Sequence, residues 1–217
     1  MSSGAASWGG SALKDPDDLF ALEKQLHEEG YNLVCGVDEA GRGPLAGPVC
    51  AAAVVLPEDC DLPGLNDSKK LTEKKREALY DQIIEKAVAY GIAFSSVEEI
   101  EEINILSAAL LAMKRAIEKL PQAPDMALID GNTTRDIKVP ARSIVGGDGK
   151  CACIAAASVL AKVTRDRLML DMAKEYPQYG FEKHKGYGTK AHYAALEEHG
   201  PSPIHRMSFL KKFYAKR

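Results

Sequence analysis

Four carboxylates in this chain stand where acids could work together. Asp38 and Glu39 are adjacent and precede Gly41, Arg42 and Gly43, Asp130 closes a short apolar run before Gly131, and Asp148 sits among Gly146, Gly147 and Gly149. Converging carboxylates repel one another unless a cation sits among them. An all-oxygen set, with no Cys or His beside it, favours Mg2+ or Mn2+ over zinc. Such ions support phosphodiester hydrolysis, activating a water and neutralising the leaving oxygen. Each acid also has a plainer reading as a strand-end or turn residue, or, for Asp148, as the N-cap of the next helix. Their shared placement at strand ends is what points to a site. Residues 41–48 add a glycine- and proline-rich loop whose bare backbone can approach a ligand and present N–H groups.

The flanking elements must bring these residues together. Asp15-Pro16 opens a helix that closes at Gly30. Apolar runs predict strands over 33–37, 48–56, 90–97, 126–130 and 141–145. Helices are predicted over 72–88 and 150–175. A third follows from Glu98, where Ile103, Leu106, Leu110, Met113, Ile117 and Leu120 step by three and four until Pro121. This order gives an α/β fold with a central mixed sheet flanked by helices. Ligands of open sheets gather beyond the carboxyl ends of central strands, so Asp38, Glu39 and Asp130 should converge there. Adjacent residues on a regular strand point to opposite faces, so a shared metal requires the strand to break at Asp38-Glu39. Gly41 is placed to allow that break. Asp166 is a rival fourth acid, but it lies inside the last long helix, where a pair with Arg165 or Lys162 is expected.

With 217 residues, 46% hydrophobic and 27% charged, the chain can bury a full core in one domain. No apolar run reaches the roughly 18 residues that span a bilayer. The first residues lack a secretion-signal pattern and read as a disordered leader over 1–12, so a cytoplasmic protein is expected. Cys35, Cys50, Cys151 and Cys153 sit among small apolar residues, as reduced cysteines do, and Cys151-Ala152-Cys153 lacks a second pair for zinc. Net charge is −3, yet residues 176–217 hold eight Lys and Arg against three Glu, with four of the five histidines and five of the eight tyrosines. That segment reads either as a grip on phosphates and sugars or as a solvated helical end whose tyrosines cap the core.

The run Asp38-Glu39-Ala40-Gly41-Arg42-Gly43-Pro44-Leu45-Ala46-Gly47-Pro48-Val49 closely resembles the signature opening of bacterial type 2 ribonucleases H. Residues 66–71, 129–132, 155–166, 176–181, 184–189 and 206–209 resemble further blocks of that family, in the family's order, so that the likeness covers about 33–210.

The resemblance implies an RNase H-like fold with a central mixed five-stranded sheet, a catalytic domain over 13–175 and a helical C-terminal extension over 176–217 that helps bind substrate. It implies endonucleolytic cleavage of RNA in RNA–DNA hybrids, and incision 5′ to single ribonucleotides in duplex DNA, leaving 5′-phosphate and 3′-OH ends. Two divalent ions, Mg2+ or Mn2+, would be held by Asp38, Glu39, Asp130 and Asp148, with Asp38 bridging. Gly41, Arg42 and Gly43 match the element that senses the ribose 2′-OH, and Tyr187 matches the tyrosine that packs on the next deoxyribose. Ser68 and Lys69 match positions near the phosphate backbone. One departure is Gly146, where the family commonly has lysine. A monomer is expected. A sliding-clamp contact through Phe209 or Phe213 is conceivable from the sequence, although packing of both rings on the body is the expected arrangement. Two rival readings are a DNA-cutting nuclease of the same fold, separable by activity on all-DNA duplexes, and a non-catalytic hybrid binder.

Overall fold

The computed structural model describes residues 18–215. Five strands form one sheet in the order β3-β2-β1-β4-β5. They are β1 (Val34–Ala40), β2 (Val49–Val55), β3 (Ala89–Ser95), β4 (Met126–Asp130) and β5 (Ala141–Ile144). The first three pair antiparallel, while β1–β4 and β4–β5 are parallel. The mixed sheet expected from the sequence is therefore present, with β1 at its centre. Asp15, Pro16 and the leader fall outside the described residues, and the first helix, α1, is Ala21–Glu28.

Two apolar layers cover the sheet. On one face Val34, Cys50, Ala52, Val54 and Leu128 meet α4 (Ala152–Glu175), whose residues 152–161 are all buried. Small side chains there let helix and strands approach closely, and α1 and α2 (Glu73–Lys86) complete that layer. On the other face Cys35, Val37, Ala51, Ala53 and Ile129 meet α3 (Val97–Glu118). Both N-termini carry side-chain caps: Thr72 accepts the Lys75 amide at 3.3 Å, and Ser96 and Glu99 form a capping box.

The apolar stripe predicted for α3 conceals a break. Asn104 has φ 66° and ψ 163°, and its side chain accepts the Leu106 and Ser107 amides at 3.0 and 3.2 Å. The helix is thus re-capped midway, and Leu106, one of the stripe residues, is 41% exposed.

After Tyr176 come α5 (Phe181–His184), α6 (Lys190–His199) and α7 (Met207–Tyr214). Tyr179, Phe181, Leu196 and Leu210 form a third apolar cluster with Leu45, Ala46 and Met169 of the body, and Tyr176, Tyr193, Phe209, Phe213 and Tyr214 pack against it. Four of the five tyrosines in this segment therefore serve packing; Tyr187 is the exposed one. Phe209 and Phe213 pack on the body as expected. No helix among the described residues is long and apolar enough to cross a membrane.

Candidate active site

The strand does not break at Asp38-Glu39, contrary to the expectation for a shared metal. β1 keeps regular pairing with β2 through Asp38, Glu39 and Ala40. It is β4 that stops, at Asp130, one residue past the last β1–β4 pair of Val37 and Ile129. Strand alternation puts Asp38 and Asp130 side by side on the face toward α4, and Glu39 on the face toward α3. Glu39 nonetheless feels the Asp130 charge, since β1 and β4 are neighbouring strands and Asp130 stands at the end of β4. Asp148 arrives from a 3-10 turn, Gly147–Gly149, at the foot of α4. It is 7% exposed and caps nothing; Cys151 occupies the N-cap position of α4, which corrects the N-cap reading.

Protein donors hold each acid. Asp38 accepts the Glu39 amide at 2.7 Å, Asp130 the Gly147 amide at 2.7 Å, and Asp148 the Lys69 ammonium at 3.2 Å. Arg42 reaches Glu39 at 3.3 Å. Burial, then the charges of Glu39, Asp130 and Asp148, raises the Asp38 carboxyl well above its ordinary range. Burial is also the leading cause of the upward shifts at Glu39 and Asp130. Buried and half-buried carboxylates whose neighbours' negative charges raise Asp38, Glu39 and Asp130, with no Cys or His among them, fit a hard divalent cation.

A tighter trio lies elsewhere. Glu23, Cys151 and Cys153 present ligand atoms within 4.8 Å of one another. The Glu23 carboxylate accepts the Cys153 amide at 2.7 Å, so it caps the N-terminus of α4 from another helix. Burial raises both thiols, and Cys35 and Cys50 are pushed to about 12, which keeps them as protonated packing groups.

The segment before α2 carries Lys69 to the acids. Asp67 accepts the Lys69 amide at 2.9 Å, the Ser68 amide reaches Ser158 of α4 at 3.3 Å, and Arg76 donates to the Ser68 carbonyl at 3.0 Å. Ser68 is buried, whereas the Lys69 side chain is 76% exposed. At Gly146, where the departure lies, φ is 65°, and Lys150 folds back onto the Val145 carbonyl at 2.7 Å. Asp166 pairs with Lys162 at 2.7 Å, as expected.

Residues 41–48 wrap around two buried arginines to which the sequence reading gave no part in the site. Arg206 donates to the carbonyls of Gly41, Arg42 and Gly47, and Arg165 to those of Ala46, Pro48 and Lys185. Gly41 has φ 99°, and a Cβ there would lie 2.1 Å from Arg165 Nε, so only glycine lets the guanidinium pass beneath. Tyr187 is brought to the same place: its ring stands 3.6 Å from where a Gly43 Cβ would be, 44% exposed.

A histidine chain anchors Tyr187 from behind. The Ser202 amide donates to His205 Nδ1 at 2.9 Å, so the neutral ring carries its proton on Nε2. That proton faces His192 Nε2 at 2.9 Å, and His192 Nδ1–H donates to the Tyr187 carbonyl at 3.0 Å. Burial lowers both histidines to about 4. Their ordinary value is near 6.5, so between the two values the unfolded chain binds more protons. Stability from these rings is complete above pH 6.5 and drains away as pH falls toward 4, by up to about 3 kcal/mol per ring. Histidine-ring NMR should find both rings neutral, in these tautomers, down to pH 5. A ring titrating near 6.5 would contradict this.

The sheet order, the acids at its central strand ends and the surrounding helices define the ribonuclease H-like class of fold. The model of the ribonuclease HII family matches residues 35–212. The chain belongs to the ribonuclease HII family, and it is a ribonuclease H. It is 61% identical over 177 residues to the ribonuclease HII of Idiomarina loihiensis, covering 82% of this chain and 95% of that protein. To that of Endomicrobium trichonymphae it is 55% identical over 193 residues, covering 88% and 92%. Among solved structures, ribonuclease H2 from Pyrococcus horikoshii superposes with a TM-score of 0.67 at 26% identity, over 85% of this chain and 99% of that one. Bst-RNase HIII, solved in complex with Mn2+, shares the fold at a TM-score of 0.61 and 18% identity, over 91% and 71%.

Proposed function

We propose that this ribonuclease H cleaves the RNA strand of RNA–DNA hybrids and incises 5′ to single ribonucleotides embedded in duplex DNA. The observation that carries this reading is the juxtaposition of the acid cluster with a loop and a tyrosine suited to a sugar junction. Asp38, Glu39, Asp130 and Asp148 are the residues that would hold the divalent ions, Mg2+ or Mn2+. When bound, two such ions activate the attacking water and neutralise the leaving 3′ oxygen. The products are then a 3′-OH and a 5′-phosphate.

The chain's own residues align the strand. The amides of Arg42 and Gly43 offer donors to a 2′-OH, the one group that separates ribose from deoxyribose. Tyr187, beside Gly43, presents a ring face to the next sugar. Lys69 at the rim can turn from Asp148 to a phosphate, with Ser68 fixing its loop. The basic segment over 176–217 holds the duplex through salt-sensitive phosphate contacts. The same fold cutting DNA would need no sugar sensor. Paired assays on a hybrid and on an all-DNA duplex of one sequence, with Mg2+, Mn2+ or EDTA, test the reading. Metal-dependent cutting of the hybrid alone is expected, and equal cutting of both overturns it.

Tyr187→Ala is expected to slow incision at a lone ribonucleotide about ten-fold or more, because a stacked ring contributes roughly 1–3 kcal/mol. Cutting within a long hybrid, which has no ribose–deoxyribose junction at the cleaved step, should fall less. Equal loss on both substrates would count against the junction role.

A further inference from the structure

Arg165 and Arg206 are 1% and 0% exposed, and among the described residues neither makes an ion pair with a carboxylate. Burying a guanidinium without a counter-charge is costly. The cost shows at Arg206, which burial and then the neighbouring Arg165 lower to about 9. Two adjacent buried cations would be replaced by apolar side chains unless their geometry had a use.

That geometry is specific. Arg206 spends Nε on the Gly47 carbonyl at 2.9 Å, one terminal nitrogen on that of Arg42 at 3.0 Å, and the other on those of Gly41 and Gly47 at 2.6 and 2.7 Å. Arg165 takes the carbonyls of Pro48, Lys185 and Ala46 at 3.0, 3.1 and 3.0 Å. The described peptide bonds are all trans. In a trans peptide the C=O and N–H point in opposite directions. The Gly41 carbonyl aimed at Arg206 therefore turns the Arg42 N–H away from it, and the Arg42 carbonyl likewise turns the Gly43 N–H away. Neither amide has an acceptor within the loop or turns of the described chain.

We propose that Arg206, supported by Arg165, is a positioning residue that aims the Arg42 and Gly43 amides outward, and so sets the preference of this site for ribose over deoxyribose. The inference rests on the proposed role of residues 41–43 at the 2′-OH. Arg206 lies in the turn before α7, whose Phe209 ring sits 5.2 Å beneath its guanidinium. Arg206 thus reaches the sugar-reading loop through its carbonyls, without itself touching substrate. Lysine cannot substitute, because one ammonium cannot meet three separated carbonyls in the plane of a fork.

The test is a cycle between residue 206 and the 2′ substituent. Incision is measured on duplexes carrying one ribonucleotide or its 2′-fluoro analogue, whose carbon-bound fluorine is a far poorer acceptor for an N–H than a hydroxyl oxygen, with wild type and with Arg206→Lys. Wild type must cut the ribonucleotide duplex; failure there refutes the functional reading itself. Granted that, kcat/KM of Arg206→Lys on the ribose duplex should fall about ten-fold or more, and the ribose-to-fluoro ratio should shrink by a similar factor. A merely structural loss lowers both substrates equally and leaves the ratio at its wild-type value, which overturns the proposal. A second measurement needs no variant. In wild type, the Arg42 and Gly43 amides should exchange freely with solvent and become protected when a ribonucleotide-containing duplex binds in Ca2+. Protection before substrate is added, or equal protection by an all-DNA duplex, contradicts it.

Discussion

Asp130→Asn is expected to lower cleavage at least about a thousand-fold while leaving the fold and hybrid binding nearly intact. Asparagine keeps the shape and the carbonyl oxygen that accepts the Gly147 amide at 2.7 Å, so the turn before α4 survives. It removes one of the negative charges that would hold the cations. Each lost 1.36 kcal/mol of transition-state stabilisation is a factor of ten, and metal ions supply several kcal/mol. The folded state should not suffer. Burial raises the Asp130 carboxyl, and a group whose folded pKa lies above its unfolded one weakens the fold at neutral pH. The melting temperature should be unchanged or slightly higher. Full metal-dependent activity in this variant would remove Asp130 from the site.

Gly36→Ala is expected to destabilise the protein by about 3 kcal/mol or more, read from urea midpoints. A Cβ on Gly36 would lie 2.2 Å from the backbone of both Cys153 and Ile154 in α4, where ordinary contacts are 3.4–4 Å. Main-chain atoms at a helix start cannot step aside as a side chain does, so α4 must withdraw from the central strand. Asp38 lies two residues beyond Gly36, and Asp148 lies just before α4. Whatever folds should therefore cut poorly as well. A loss under 1 kcal/mol would show that the helix does not sit against β1 as described.

Much of this architecture was legible because its signals are local. Thr72 caps α2, the 126–130 run ends on Asp130, and the alanine-rich 155–161 stretch marks the tightest helix–sheet contact. What escaped was set by partners distant in sequence. β1 continues through Asp38 and Glu39, poor strand formers, because Ala51 and Ala52 of β2 pair with them. The break in α3 was masked because the apolar steps keep their phase across Asn104; the asparagine, a good N-cap, was the available clue. Arg165 lies four residues from both Ala161 and Met169 on a buried stripe, a placement that could have marked it. Nothing local distinguishes Arg206, whose role comes from carbonyls about 160 residues earlier.

Strand geometry also changed how the acids are understood. The unbroken strand turns Asp38 and Glu39 to opposite faces, and Glu39 still feels Asp130 at the end of the neighbouring strand β4. The glycines beyond them shape the loop around Arg165 and Arg206 rather than bending the strand.

The most direct measurement is incubation of the protein with a DNA duplex that contains one ribonucleotide, with Mg2+, with Mn2+ and with EDTA, followed by mapping of the product ends. A single metal-dependent cut 5′ to the ribonucleotide is expected, with that ribonucleotide left as the 5′-phosphorylated end of the downstream fragment beside an upstream 3′-OH. Cutting that persists in EDTA, or that falls equally on the same duplex without the ribonucleotide, would contradict it.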